Sequence, residues 1–363
     1  MASVSYGSVF ALYICLVHLS SLYIRPLFLH VETVRVCPLL LHHHHLPALF
    51  PSFVVGTRGF SFPRFPIILN FHSNTPPKME IVPEGKNFRL VKEDELPAVA
   101  DTLVQYLPES LKFHQTIQTY LNNKVWDFHF YVAKNWPKDP ICLHFPGCTS
   151  TPNSLPYESV TVFCPSAHAE LVDLLTSEDI LLDLTQPLYL NFTHEAIVNR
   201  LERHYEGYDK ITGDVYSCDD PPADIEPINF STIIQKLKRY IRLEPEHMKA
   251  VYDLYPASDI ECREVFEKLV AELPAYGIFV EGQLAAWMVQ SYYGAMFSMQ
   301  TKPEFRRKGY GIYLARRLTK EVAARGYKPF VVIRPENDAS RSLYTKLGFE
   351  KRFRTVRAVL RPR

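Results

Sequence analysis

From residue 79 onward the apolar positions of the chain change period several times. Leu96, Val99, Leu103 and Leu107 recur at helical spacing, and Asp94 and Glu95 precede them where a helix dipole favours acids, so a helix is expected there. "KVWDFHFYVAKNWP" sets Trp126, Phe128, Phe130 and Val132 against Asp127, His129 and Tyr131, the alternation of a half-buried strand. "SVTVFCP" and "LYLNF" read as further strands, leading into the helix patterns "SAHAELVDLL" and "THEAIVNRLERHY". Strands alternating with helices make an α/β layer. Further on, "EPEHMKAVYDLYP" and "CREVFEKLVAELP" read as two helices. "YGIFVEGQLAAWMVQSYYGAMFSMQ" then reads as a three-strand antiparallel meander turning at Glu281-Gly282 and Tyr293-Gly294. Leu314, Leu318 and Val322 give the next helix a core face with Ala315 between them. It runs from near Tyr310 to Gly326, with Arg316, Arg317, Lys320 and Arg325 outside. "PFVVIRPENDASRSLYTKLGF" follows as a buried strand, a loop holding Asn337, a helix with Leu343 and Leu347 on one face, and a stop at Gly348.

The paired prolines and acids of "SCDDPPADIEP" suit neither helix nor strand. A domain junction is therefore expected at 217–236, between a domain at 79–216 and another at 237–363. The 363 residues are ample for two cores. Residues 1–78 read as a poorly structured, targeting or anchor extension. Residues 4–24 are uncharged and almost long enough to span a bilayer, with Arg25 and Arg35 on the C-terminal side, which would leave the rest of the chain in the cytosol. An organelle presequence is a second reading, a cleaved secretory signal a weaker third, and a true start at Met79 a fourth. The four histidines 42–45 fit a low-complexity tract better than a metal site.

Charge is nearly balanced, 40 Lys and Arg against 39 Asp and Glu, so no global field recruits nucleic acid, and any bound anion must meet a local cluster. The seven cysteines are scattered without a CxxC pair, which indicates reduced thiols of an intracellular protein, mitochondrial or cytoplasmic, with no structural metal. A membrane tether stays open through residues 4–24.

One local cluster stands out. "EFRRKGYGIYLARR" places Arg306, Arg307 and Lys308 beside Gly309 and Gly311 at the start of a helix. First-turn amides lack intrahelical partners and carry the positive end of the dipole, and the glycines bare the backbone. This suits a phosphate, and a pyrophosphate better. The spacing matches neither a P-loop nor a dinucleotide fingerprint.

Taken with the second stretch, the order and spacing resemble the GNAT superfamily of acyl-CoA-dependent N-acyltransferases. Its Q/R-x-x-G-x-G/A motif is matched by Arg306, Gly309 and Gly311, and its N-x-x-[AS]-x-x-L-Y-x-K-L-G-F ending by Asn337, Ser340, Leu343, Tyr344, Lys346, Leu347, Gly348 and Phe349. The resemblance covers about residues 240 to 363. It implies an α/β (α+β) GNAT fold, a mixed, mostly antiparallel sheet flanked by helices, preceded by a divergent GNAT-like half. By the same resemblance the backbone from Arg307 through Tyr310 to Gly311 would grip the pyrophosphate of acyl-CoA, the co-substrate. Met299, Gln300 and Thr301 would pair with the pantetheine arm, and Asn337 would hydrogen-bond it. Tyr344 would protonate the departing thiolate as general acid.

The two-domain layout looks most like the glycine N-acyltransferase family. There the proposed base is a glutamate at the opening of the strand before the loop. The position aligns with Ala295, and Glu281, Tyr292, Ser298 or a water chain are the substitutes. The expected activity is transfer of an acyl group to the amine of a small molecule, glycine or another amino acid among them. A protein N-acetyltransferase and a non-catalytic acyl-CoA-binding protein are the rivals. An open acceptor cleft would favour the first rival; residues before 237 that cover the cleft would disfavour it.

Overall fold

The structure, a computed structural model, describes residues 81–146, 160–221, 238–255 and 263–363. The extension 1–78, with its candidate span at 4–24 and its histidine tract, lies outside the described residues, as does most of the expected linker. Among the described residues no helix is long and apolar enough to cross a membrane. All of them belong to one compact unit, Phe71–Arg363.

The segment before the linker contains strands β1 (Phe88–Leu90), β2 (Phe128–Ala133), β3 (Cys142–Pro146), β4 (Thr161–Phe163), β5 (Leu188–His194) and β6 (Tyr205–Ser217). Its helices are α1 (Leu96–Val104), α2 (Leu111–Asn123), α3 (Asp173–Thr176) and α4 (Glu195–Leu201). In α1 the buried residues are Leu96, Val99 and Leu103, as their spacing requires, whereas Leu107 falls beyond the helix end. β2 departs from the half-buried expectation. Tyr131 and Ala133 pack into one core while Phe130 and Val132 pack into another, because β2 is central in its sheet and covered on both faces. The helix expected over "SAHAELVDLL" is a 3-10 run, Ser166–Val172, broken at a non-helical His168, before the single turn of α3.

After the linker come β7 (Lys238–Arg242), α5 (Met248–Asp253), α6 (Arg263–Glu272), β8 (Ala275–Val280), β9 (Gln283–Gln290) and β10 (Met296–Thr301). Then follow α7 (Tyr310–Ala324), β11 (Phe330–Ile333), α8 (Asp338–Lys346) and β12 (Glu350–Pro362). The meander forms as its alternation and glycine turns predict: β8, β9 and β10 pair antiparallel in the order β10-β9-β8-β7. Leu314, Ala315, Leu318 and Val322 of α7 are buried against it.

The first four strands form the sheet β1-β2-β3-β4, and a third sheet has the order β11-β6-β12-β5. β6, from before the linker, lies between β11 and β12; β12, from the far end of the chain, lies between β6 and β5. Both inserted strands are thirteen residues long. Each segment therefore completes the sheet of the other, and their registers are pinned by long pairings such as Phe330 with Ser217 and Arg361 with Glu206.

Ion pairs reinforce this exchange. The buried Asp214 of β6 accepts hydrogen bonds from Lys351 Nζ at 2.7 Å and Arg354 Nε at 3.0 Å on β12. Burial alone would raise its pKa, but those hydrogen bonds and charges hold the carboxyl below its ordinary value. A depressed folded pKa contributes stability that is present above the unfolded pKa, ~4, and is lost as pH falls through the folded value. Asp214→Asn is thus expected to cost about 1–2 kcal/mol at pH 7, discounted because Lys351 and Arg354 stay partly exposed, and to cost little at pH 2. Denaturant titrations at the two pH values check this; an equal loss at both would mean that charge is not what Asp214 supplies.

Candidate active site

β10 is the edge of the second sheet and β11 the edge of the third, and they are not hydrogen-bonded to each other. Between them opens a cavity of ≈ 380 Å³. Met299, Gln300, Asn337 and Tyr344 all line it, so four of the residues singled out in the sequence meet at one place. Its far wall comes from before the linker: Phe192 of β5 and Ile211, Thr212 and Gly213 of β6. Gly213 lets the sheet close tightly, since a Cβ there would sit 2.4 Å from Val332 Cγ1.

β10 carries a bulge facing this space. Its pairing with β9 shifts between Phe297 and Gln300, and within the shift Ser298 adopts a left-handed φ of 53°, uncommon for a residue with a side chain. A bulge leaves a residue of the strand outside the ladder, so its main-chain groups are free for a ligand.

Thr301 ends β10, and the basic loop starts a few residues on. Arg306 Nε donates to the Thr301 carbonyl at 3.2 Å, tying loop to strand, and Lys308 Nζ lies 5.1 Å from the Phe305 ring centre. Arg307 (φ 62°) and Gly309 (φ 80°) are both left-handed, and Gly309 is the N-cap of α7. A Cβ on Gly309 would meet nothing within 4 Å, so open space lies in front of the helix start. Gly311 sits lower, where a Cβ would be 3.9 Å from Met299 Sδ and from Thr301 Oγ1. The Tyr310 side chain is buried in the core, which leaves only its main chain for a ligand.

Asn337 caps α8: its side-chain oxygen accepts the Ser340 N–H at 3.1 Å, and the residue lines the cavity. Tyr344 is 3% exposed, and its hydroxyl has thioethers for neighbours, Met299 Sδ at 3.8 Å and Met288 Sδ at 4.0 Å. Burial pushes the phenol well above its ordinary pKa, so it stays protonated.

Ala295 is fully buried and lines the cavity. Of the three substitutes for the family glutamate, Ser298 lines the cavity. Glu281 lies in the exposed β8–β9 turn, and Tyr292 is buried with its hydroxyl accepting from Asn191 Nδ2 at 3.1 Å. Sequence reasoning missed Phe192 and Gly213, because nothing local marks a residue that reaches a site by strand exchange.

Residues 275–358 match the family model described as FR47-like protein. That window runs from β8 into β12 and holds the site residues singled out in the sequence, but not the wall at Phe192 and 211–213. No curated protein matches the chain. Among solved structures, the fold is similar to the X-ray structure of a Drosophila protein, at 18% identity and a TM-score of 0.59, over 76% of this chain and 98% of that one. A GNAT-family acetyltransferase from Colwellia psychrerythraea is similar at 12% identity and a TM-score of 0.43, over 76% of this chain and 99% of that one. A tandem GNAT protein from the clavulanic acid biosynthesis pathway is similar at 12% identity and 0.44, over 76% and 98%. The fold class expected from the sequence, mostly antiparallel sheets flanked by helices, is the one the chain has. The FR47-like match supports the GNAT superfamily.

Proposed function

We propose that the protein is an N-acyltransferase of the glycine N-acyltransferase-like kind, moving an acyl group from acyl-CoA to the amine of a small molecule by direct attack. The observation that carries the reading is the cavity between β10 and β11, lined by Met299, Asn337 and Tyr344 and walled by Phe192 and Gly213 from before the linker. That wall covers the face an extended protein substrate would need, which favours a small acceptor over a protein amine.

Acyl-CoA suits the residues present. Bare Gly309 with open space before it, the positive end of α7 and the Arg306–Lys308 cations provide for a pyrophosphate without a metal. Each charge-assisted hydrogen bond contributes roughly 1.5–3 kcal/mol. The unpaired edge of β10 at Met299 to Thr301 offers main-chain groups to the amides of the pantetheine arm, as a sheet edge does to an added strand, and the Asn337 amide donates beside it. When bound, acyl-CoA supplies an activated thioester.

The chain's own groups then divide the work. The bulge in β10 presents a main-chain donor to charge developing on the acyl oxygen. Tyr344 holds a proton that its thioether neighbours do not compete for, and gives it to the thiolate as it leaves.

The test is CoA release by the purified chain given acetyl-, benzoyl- and medium-chain acyl-CoA against pooled amino acids, polyamines and arylalkylamines, with mass spectrometry of products. A new N-acyl small molecule is the expected outcome. Tight CoA binding with acylation only of added peptides would transfer the assignment to protein amines.

A further inference from the structure

Ser298 combines three properties that no other residue of β10 has together. It lies in the bulge with a left-handed backbone, it lines the cavity, and its hydroxyl oxygen is sealed from water without a hydrogen-bond partner. Glycine is the residue such a backbone favours, so a side chain here is held against a local cost. An orphaned buried hydroxyl is a second cost. The second cost is relieved if a ligand in the cavity that Ser298 lines brings an acceptor to the hydroxyl.

Resting on the acyltransferase reading, we propose that Ser298 is a catalytic residue whose hydroxyl donates a hydrogen bond to the acyl carbonyl oxygen, alongside the main-chain donor of the bulge. When the amine lone pair forms the C–N bond, the C=O π pair moves onto that oxygen, and the Ser298 hydrogen bond strengthens with its charge. On collapse the pair returns, the C–S bond breaks, the thiolate takes the Tyr344 proton, the extra proton on nitrogen leaves to solvent, and a solvent proton restores the Tyr344 phenol. Ser298 neither gains nor loses a proton overall. Ser298 precedes Met299, whose sulfur lies 3.8 Å from the Tyr344 hydroxyl, and Ser298 and Tyr344 line the same cavity.

Ser298→Gly separates the hydroxyl from the backbone, because glycine accepts the left-handed conformation; Ser298→Ala removes the same atom and keeps the strain. Two readouts apply. Acetyl-CoA carrying a ¹³C carbonyl is bound without amine and its C=O stretch recorded by isotope-edited infrared spectroscopy. S-ethyl-CoA, which lacks the carbonyl, is bound as a control by calorimetry. The wild-type stretch is expected at lower wavenumber than in either variant, S-ethyl-CoA affinity is expected to be the same in all three, and saturated turnover is expected to fall about 100-fold in both variants. A Ser298→Gly protein with an unshifted stretch and full turnover overturns the proposal. A wild-type protein that binds neither acetyl-CoA nor S-ethyl-CoA overturns the acyltransferase reading itself, and the proposal with it.

Discussion

Gly309→Glu is expected to weaken acyl-CoA binding by ~100-fold or more while the protein still unfolds cooperatively, the size that follows from losing about two charge-assisted hydrogen bonds. The glutamate would put a carboxylate into the open space before α7, against the positive end of the helix and among the cations meant for phosphate. Packing is not at stake, since a Cβ on Gly309 meets nothing within 4 Å. The left-handed φ of 80° is, so Gly309→Ala is the control: it carries the backbone penalty of roughly 1–2 kcal/mol without the charge. Calorimetry with CoA on both variants separates the two effects. Equal affinity in Gly309→Glu and wild type would remove the phosphate assignment of the loop.

Tyr344→Phe is expected to lower saturated turnover by about 10²–10⁴-fold and to leave CoA affinity within a few-fold. The ring remains, with its edge contact to Phe349 at 5.1 Å between centres, so the cavity wall persists and only the proton is lost. Steady-state kinetics and CoA titration on the same preparation decide it; equal losses in both would make Tyr344 a packing residue. The raised phenol pKa adds a pH expectation. A group whose pKa lies above its ordinary ~10 is protonated throughout the neutral range, so the acid form is not exhausted below about pH 10. An alkaline limb with a midpoint near 8 would belong to another group.

What was legible in the sequence divides by the range of the interactions. The meander, α7, β11 and α8 carry their signals within one element: glycine turns, a four-residue repeat in Leu314, Leu318 and Val322, and the Asn337 cap with its Gly348 stop. The residues those elements present, Met299, Asn337 and Tyr344, were legible with them. The two longest strands were not. β6 reads YEGYDKITGDVYS, with two glycines among its charges, and β12 EKRFRTVRAVLRP, dense in charge, because each is stabilised by partners far along the chain and not by a continuous apolar face of its own. Missing β6 hid Gly213 and its part of the cavity wall, while Phe192, on a strand that was legible, went unmarked because nothing local shows that β5 reaches the site. The left-handed Ser298 was hidden for a different reason: a bulge is a property of the pairing between β9 and β10, and neither strand alone encodes it.

The strand exchange also fixes when, during synthesis, a working cavity can exist. β6 is made before residue 218, yet the strands that flank it, β11 and β12, begin at Phe330 and Glu350. A ribosome must therefore add more than a hundred residues while β6 waits with both edges bare, and Tyr205 meets its partner only when Pro362 is made. The N-terminal wall and Tyr344 therefore come together only late in synthesis, so the cavity is incomplete in a shorter chain and the exposed edges of β6 are left for a chaperone to shield.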